Sequence, residues 1–486
     1  MKKGLVMLLC ALLLLSVFAG CANNGEQEGQ ESTTATEEEN YWISPALTPT
    51  DEFDGETLTL LVNREMDAGS EEASSDPLED ALYRRNDRLE STYGIQIETL
   101  LETEYIELGN KVTKDVSSGN GDYDLVYQHM VNAATNLAVN GLLIDLSDMP
   151  NVDFDQEWWD QDAREGFTIG NHQFLAVGDL LPYTLLYSAC IVFNKSQFDD
   201  QSLDYPYDLA RDNEWTLDAL NDLTKDQTKD LNGDGKIEYE NDYYGLTSWH
   251  LVGPFNFFYG SGATFFTKDS ENYPVYSVDQ NKIQSIYDKV YTTFMTNNSL
   301  YITDVNINTE AYKVFTKGRA LFCSCSLTNI ANTEHGFKDM KDEYGVLPQP
   351  KYDASQKDYM SFVNGAASVV VVPKSLSEER CEFVGYMMEA LASSSYYMVT
   401  DTLYDKVAKS KNVRDPESAE MVDIIIRNRV FDFGYAHFFS KAYPCATLFQ
   451  TCLDSKTASV ASAIKKVKDK TMEKDINKIL EVYQGD

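Results

Sequence analysis

From Glu56 onward the chain alternates between two hydrophobic periods. In "ETLTLLVNRE", Leu58, Leu60 and Val62 recur at every second position, the mark of a strand with one buried face. In "SDPLEDALYRRNDRLESTYG", Leu78, Leu82, Leu89 and Tyr93 share one helical face. Asp76 is placed to cap that helix, Pro77 suits its first turn, Glu79 completes a capping box, and Gly94 stops it. "IQIETL" predicts a second strand, a helix through Leu108, Val112 and Val116 follows, and "YDLVYQH" predicts a third strand. Strand, helix, strand, helix, strand implies crossover connections and a largely parallel sheet. Ligands of such sheets sit beyond the carboxyl ends of the strands, here Asn63-Arg64-Glu65 and Gln128-His129-Met130. Farther on, "SLSEERCEFVGYMMEAL" reads as a helix with a capping box from Ser375 to Glu378 and an apolar face of Phe383, Val384, Met387, Met388 and Leu391. The C-terminal "INKILEVY" puts Ile476, Ile479, Leu480 and Tyr483 on one face.

The first residues break this pattern. Met1-Lys2-Lys3 precede an apolar run from Leu5 to Phe18, and Ala19-Gly20 precede Cys21. That order is a secretory signal, 1–20, whose apolar run is short for a membrane span. Its ending, "SVFAGC", resembles the lipobox of bacterial lipoproteins, which implies that Cys21 carries a diacylglyceryl group and becomes the new N-terminus. The following "ANNGEQEGQESTTATEEEN" holds almost nothing apolar, so 21–55 is expected to be an acidic, disordered tether. A lipid on a leash places the protein on the extracytoplasmic face of the cell membrane, anchored rather than spanning. The most apolar later stretch, "AASVVVVP", is strand-sized.

Formal net charge is -38. Such a chain does not bind nucleic acid or an anionic membrane surface by charge. With Cys10 in the signal and Cys21 lipidated, six cysteines remain: Cys190, Cys323, Cys325, Cys381, Cys445 and Cys452. No CxxC or His-rich spacing points to zinc. Cys323 and Cys325 lie on one side of a strand and make a poor disulfide pair, Cys445 and Cys452 could bridge a loop, and mostly free, partly buried thiols are expected. About 430 residues beyond the tether are too many for one core and suit two lobes.

Five stretches, in order, resemble one family: "YDLVYQHMVNAATNLAVNGLLIDLSD", "GNHQFLAVGDLLPYTLLYSACIVFNKSQF", "NEWTLDAL", "FTKGRALF" and "EYGVLPQPKYDASQKDYMSFVNGAASVVVVPKS". From Glu56 on, the chain is similar to extracellular solute-binding proteins of ABC importers, and to their carbohydrate-binding, maltose-binding-protein-like group. The resemblance implies an α/β fold of two lobes, periplasmic-binding-protein-like, with a ligand cleft between them and three hinge crossings. The crossings are expected near Tyr187, Gly365 and Arg414-Asp415. Lobe one is then 56–186 plus 367–412, and lobe two 190–363 plus 416–486. It also implies cleft positions: Asn63, Arg64, Glu65, Gln128, His129 and Tyr187 from lobe one and the first crossing, and Trp249, Tyr259, Ser324, Phe433 and Tyr435 from lobe two.

Two constellations stand out within this frame. "KDLNGDGKIEYENDYYGLTS" contains most of a calcium loop: Asp230, Asn232 and Asp234 at alternating positions, Gly235 for the turn, and a carbonyl from Lys236. The closing glutamate is missing, with Asn241 in its place, and Asp242 could close the site one residue late. A structural Ca2+ is the expectation, with a solvated acidic turn as its competitor. The aromatics are the other: 30 Tyr and 23 Phe against 5 Trp are enough to ask about rings stacking on sugar faces. Trp158 and Trp159 in "DQEWWDQD" are expected to supply one ring that packs beneath the lobe-one surface. Catalysis has no comparable signature, because the histidines show no HxxxH spacing and no G-x-S-x-G or phosphate loop occurs. The expected function is a monomeric, lipid-anchored receptor that closes on a carbohydrate and presents it to ABC permease subunits. An anchored glycan-active enzyme and a non-transporting surface receptor are the alternatives.

Overall fold

The computed structural model describes residues 41–484, apart from 49, 70–71, 250–251, 303–306, 308, 332–333, 409–414, 439–447 and 468–472. Cys21, Cys445 and Arg414 of the crossing expected at Arg414-Asp415 lie outside the described residues. The disordered tether expected over 21–55 does not reach its bound: Trp42 and Leu47 are buried in the core of the first sheet, because their apolar side chains find a partner there. Thirteen strands are described: β1 Thr57–Val62, β2 Gln96–Leu101, β3 Leu125–His129, β4 Ala189–Asn194, β5 Tyr244–Trp249, β6 Phe266–Lys268, β7 Pro274–Tyr276, β8 Leu300–Ile302, β9 Ala320–Ser326, β10 Tyr344–Leu347, β11 Ser361–Phe362, β12 Ser368–Val371 and β13 Arg429–Val430.

Four of them form the first sheet, in the order β12-β3-β1-β2. β1 pairs in parallel with β2 and β3, as the crossover reading requires, and β12 closes one edge antiparallel to β3. The alternation in β1 puts Leu58, Leu60 and Val62 on one face, but Leu61 is buried on the other as well, because β1 lies inside the sheet. Leu58, Leu60 and Val62 are buried against the helix Glu378–Met398, with Val384, Met387 and Leu391 in the same core. The helix Pro77–Tyr93 starts at Asp76, whose carboxylate accepts from the N–H groups of Leu78 and Glu79, and ends at Gly94 with φ 67°. Its capping box is not reciprocal, because Glu79 takes the Ser74 hydroxyl instead. The second expected box also moves. Ser377 caps the helix Glu378–Met398, and Ser375 turns away to the Asp115 carboxylate.

A second, mixed sheet has the order β10-β4-β9-β5-β8. β5 runs parallel to β8 and β9, while β4 runs antiparallel to β9 and β10. The chain passes between the sheets where Ser188 bridges Val363 and where β11 pairs in parallel with β13. The C-terminal segment expected to belong wholly to lobe two touches both sides. The helix Pro416–Arg427 packs on β10, but Phe433–Phe438 and Glu473–Tyr483 pack on the segment Met130–Asn140 that follows β3. Tyr483 is fully buried there, edge-on to Phe174 and accepting or donating at His437 Nε2. A large aromatic facing lobe one outweighs the sequence order that assigned this helix to lobe two.

Where one ring of Trp158 and Trp159 is expected beneath the surface, both are buried, and one carboxylate holds them. Glu389, inside the helix Glu378–Met398, accepts from the indole N–H groups of Trp158 (3.2 Å) and Trp159 (2.9 Å), from the Ser44 hydroxyl (2.7 Å) and from the Asp153 N–H (3.4 Å). Burial pushes its carboxyl above the ordinary range, and these donors pull it back. Among the described residues no helix is long and apolar enough to cross a membrane. Glu389→Ala, which strands two buried indole donors, is expected to lower unfolding free energy by about 2–4 kcal/mol in urea titration. Glu389→Gln, which keeps an acceptor for one indole and sets an amide donor against the other, should cost less than Glu389→Ala but not restore wild-type stability.

Candidate functional site

The carboxyl ends of β1, β2 and β3 and the start of β12 meet at one end of the first sheet. Asn63 follows β1 directly and is held by its N–H on the Tyr127 carbonyl, 3.2 Å away. Arg64 begins the short helix Glu65–Ala68 in extended conformation, which turns its side chain toward the crossing segment. The guanidinium carbon lies 4.5 Å from the centre of the Tyr187 ring, and Nη2 donates to the Ala366 carbonyl. Asp67, one turn on, accepts the Ser368 hydroxyl. Burial raises the Asp67 carboxyl, while Ser368 and the Arg64 charge oppose the rise. His129, the last residue of β3, stacks on Tyr105 with ring centres 4.5 Å apart. Burial, helped by the nearby Arg64 charge, lowers His129 to about 4, so its imidazole is neutral at pH 7.

At this end of the first sheet, Asn63 Oδ1, Arg64 Nη1, Asp67 Oδ1 and His129 Nδ1 are buried polar atoms without a hydrogen-bond partner in the protein. Trp249 Nε1, at the end of β5 in the second sheet, is another among the described residues. A buried polar group left unpaired costs on the order of 1–3 kcal/mol. Native proteins keep such groups few, and a set gathered at strand ends is suited to a bound polar ligand. The set mixes donors and acceptors, and its one cation has a carboxylate one helical turn away.

The remaining expected residues divide. Tyr187 is at the site, under Arg64. Glu65 is exposed beside it. Gln128 is fully buried and occupied: its Nε2 donates to the Tyr105 carbonyl (3.0 Å) and Asn132 Oδ1 (2.9 Å), and its Oε1 accepts from the His129 N–H. It shapes the loop under His129 rather than facing out. Ser324 lies inside the second sheet, accepting from Asn256 Nδ2 at 3.2 Å. The strand ends two residues later, so Ser326 is its residue at the same end as Trp249. Tyr259, Phe433 and Tyr435 are all buried. Tyr259 stacks on Phe362 at 4.5 Å and donates to Asp432 Oδ1, Tyr435 meets Phe362 edge-on at 4.7 Å and accepts from the Gly365 N–H, and Phe433 packs on Phe266. They form an aromatic wall behind the crossing strands, not open stacking faces, because β11 carries Phe362 into their midst. Asp67 and Tyr105 were missed. Tyr105 had a signal, since it follows the carboxyl end of β2 as Asn63 follows β1.

The loop from Asp230 is built on its own hydrogen bonds. Asp230 accepts from Gly233 (2.6 Å) and Gly235 (2.8 Å), Asn232 Nδ2 donates to Asp234, and Asp242 accepts from Leu231 (2.9 Å) and Glu238 (2.7 Å). Those backbone donors, Glu238 first, hold the Asp242 carboxyl below its ordinary value. Lys236 donates its N–H to Asp234. Among the described residues no group of three or more His, Cys, Asp or Glu side chains is arranged to hold a metal ion. The calcium expectation rests on sequence spacing alone.

Residues 86–404 match the family described as bacterial extracellular solute-binding protein. Among solved structures, a cyclo/maltodextrin-binding protein complexed with maltotetraose aligns with TM-score 0.58 and 15% identity, over 87% of this chain and 100% of that one. A maltose-binding periplasmic protein from Listeria monocytogenes in complex with maltose gives 0.57 and 15%, over 86% and 98%. An ABC transporter solute-binding protein from Thermotoga lettingae bound with α-D-tagatose gives 0.55 and 17%, over 88% and 100%. At these identities the likeness is one of fold: two α/β lobes of the periplasmic-binding type. No curated protein sequence matches.

The neutral His129 carries a pH signature. An unfolded imidazole titrates near 6.5 and the folded one near 4, so between them the unfolded chain binds more protons. Its contribution to stability is therefore complete above the upper value and lost as pH falls through the window. In urea titrations between about pH 4.5 and 6.5 the wild type should gain stability with pH, and His129→Asn should show a shallower gain.

Proposed function

Because this chain belongs to the bacterial extracellular solute-binding protein family, a family of binders rather than enzymes, we propose that it captures a sugar or oligosaccharide between its lobes and delivers it to an ABC permease. The observation that carries this reading is the unpartnered polar set: Asn63 Oδ1, Arg64 Nη1, Asp67 Oδ1, His129 Nδ1 and Trp249 Nε1. Sugar hydroxyls both donate and accept, which a mixed set needs. An anion would satisfy Arg64 and leave Asp67 and Asn63 worse off, because like charge or a lone pair would meet them in a desolvated site. Tyr105, 40% exposed and stacked on His129, adds ring surface for the C–H face of a pyranose. The bound relatives whose fold this chain shares hold maltotetraose, maltose and tagatose. Closure of the lobes would bring Trp249 toward the lobe-one set and complete the ligand's hydrogen bonds.

Calorimetric titration with maltodextrins and with monosaccharides tests the reading. At least one is expected to bind and to be recovered intact, and Tyr105→Ala should weaken it by about 1–2 kcal/mol, near tenfold in Kd. Binding of none, with tight binding of an organic anion, would overturn it; release of shorter sugars would point to an enzyme instead.

Anchoring is part of the same proposal, supported by "FAGC" at the end of the signal and the glutamate-rich stretch after it. Cys21→Ala is expected to release the protein from the membrane fraction or to leave it unprocessed. A processed variant that stays membrane-bound would refute the lipid.

A further inference from the structure

Three of the cysteines meet on one face of the second sheet. Cys323 and Cys325 are two residues apart on β9, and the register of β4 sets Cys190 directly opposite Cys325 and Val192 opposite Cys323. Sequence spacing could not show this, because 135 positions separate Cys190 from Cys325. Their sulfurs are 3.6 Å apart, in contact but not bonded. Directly opposed residues of antiparallel strands have Cα atoms about 4.5–5.5 Å apart, inside the window a disulfide requires. Closing the bond therefore needs side-chain rotation and no movement of the strands. Cys323 is worse placed for either partner. Along one strand its Cα is about 6.6–6.8 Å from that of Cys325, at the edge of the window, and it faces Val192 across the ladder. The family is extracellular, and that is where such pairs meet oxidants.

We propose that Cys190 and Cys325 form a cross-strand disulfide in the mature protein, with Cys323 left as a thiol. The co-reactant is the disulfide of an extracytoplasmic thiol oxidant. One cysteine thiolate attacks it, forming a mixed disulfide and expelling one thiolate. The second cysteine thiolate then attacks the mixed disulfide, the Cys190–Cys325 bond forms, and the second thiolate leaves. The two cysteine protons end on the two sulfurs of the reduced oxidant, so two thiols are oxidised and one disulfide is reduced. Timing follows from burial. All three thiols are inaccessible in the folded sheet, and burial, followed by the Cys190 sulfur and opposed by Cys323, raises Cys325 well above the ordinary thiol range. The bond is therefore made while the chain folds outside the cytoplasm, before β4 and β9 close over it. It sits one residue pair from the end of both strands, where Ser188 and Leu327 join β4 to β9 by a 3.1 Å backbone hydrogen bond. The bond would staple the second sheet at its hinge edge and close a long loop, which favours the folded chain by restricting the unfolded one.

The test uses the full chain recovered from the outer face of its own cells, denatured in iodoacetamide without reductant and mapped by peptide mass spectrometry. The expected result is a Cys190–Cys325 cross-link that disappears on reduction, with the label on Cys323. Label on both Cys190 and Cys325, or a link through Cys323, would overturn the proposal. A second arm refolds the reduced protein with oxidised glutathione. Wild type and Cys323→Ser should gain the cross-link and melt several degrees above their reduced forms. Cys190→Ser should gain neither, and an equal gain in Cys190→Ser would also overturn it.

Discussion

Everything at the binding end of this protein depends on how the chain crosses between its two sheets. The crossings are not independent strings. Asn364 donates its N–H to the Tyr187 carbonyl at 3.1 Å, Val363 donates to Val430 at 3.1 Å, and Ser361 donates to Asn428 at 2.8 Å. Three segments far apart in sequence thus form one small hydrogen-bonded ribbon. It satisfies backbone groups that would otherwise be buried without partners where the chain leaves one sheet for the other. It also fixes what lies on either side. Tyr187 sits under Arg64, Ala366 receives the Arg64 guanidinium, and Ser368 reaches Asp67. A hinge with this much backbone pairing can bend at few places, which suits rigid-body closure over a ligand.

The site beside this ribbon is polar without being strongly charged. Arg64 is the cation, and Asp67 is the carboxylate that feels it. His129 loses its charge to burial and to Arg64. In a low-dielectric setting each of these groups interacts strongly, and each is costly when unpaired. The protein satisfies some of their valences internally and leaves the others at the strand ends. That division between occupied and unoccupied hydrogen-bonding capacity separates Gln128, all of whose amide groups are used, from Asn63, whose oxygen is not. It also explains why a binding protein needs no perturbed nucleophile. Under the proposed function, the binding energy comes from completing hydrogen bonds that folding left open, with ring surface from Tyr105 excluding water at the edge.

Rigidity elsewhere lets so open a site persist. Glu389 gathers Trp158, Trp159, Ser44 and the Asp153 backbone onto the long helix behind the first sheet. Arg380, on the same helix, spans Asp124 and Glu56 and tethers the helix to the sheet. The helix Phe433–Phe438 and the inner face of Glu473–Tyr483, with Ile479 and Tyr483 buried, support the loop after β3 from the other side. Through that loop they hold His129 and its stacked partner in place.

The period-two and period-3.6 patterns by themselves determined the parallel sheet, its helices and the end of it that carries the candidate site. Leu58, Leu60 and Val62 can bury one face in only one register, and Asp76 and Gly94 leave little freedom to the helix between them. Motif order added the two-lobed class. Those signals are local, or nearly so, and survive in a single sequence. The candidate site was only partly legible: Asn63, Arg64 and His129 follow from strand ends and Tyr187 from the resemblance, but direction is not encoded there. Whether an aromatic faces a cleft or a core depends on its distant neighbours. Phe362 drew Tyr259 and Tyr435 inward, and β9 ran two residues past Ser324. Tertiary structure alone decided that Ser368 reaches Asp67, that the last helix packs on the loop after β3, and that Cys190 lies against Cys325. Each joins positions on different elements far apart in sequence, and packing rather than periodicity chooses such partners.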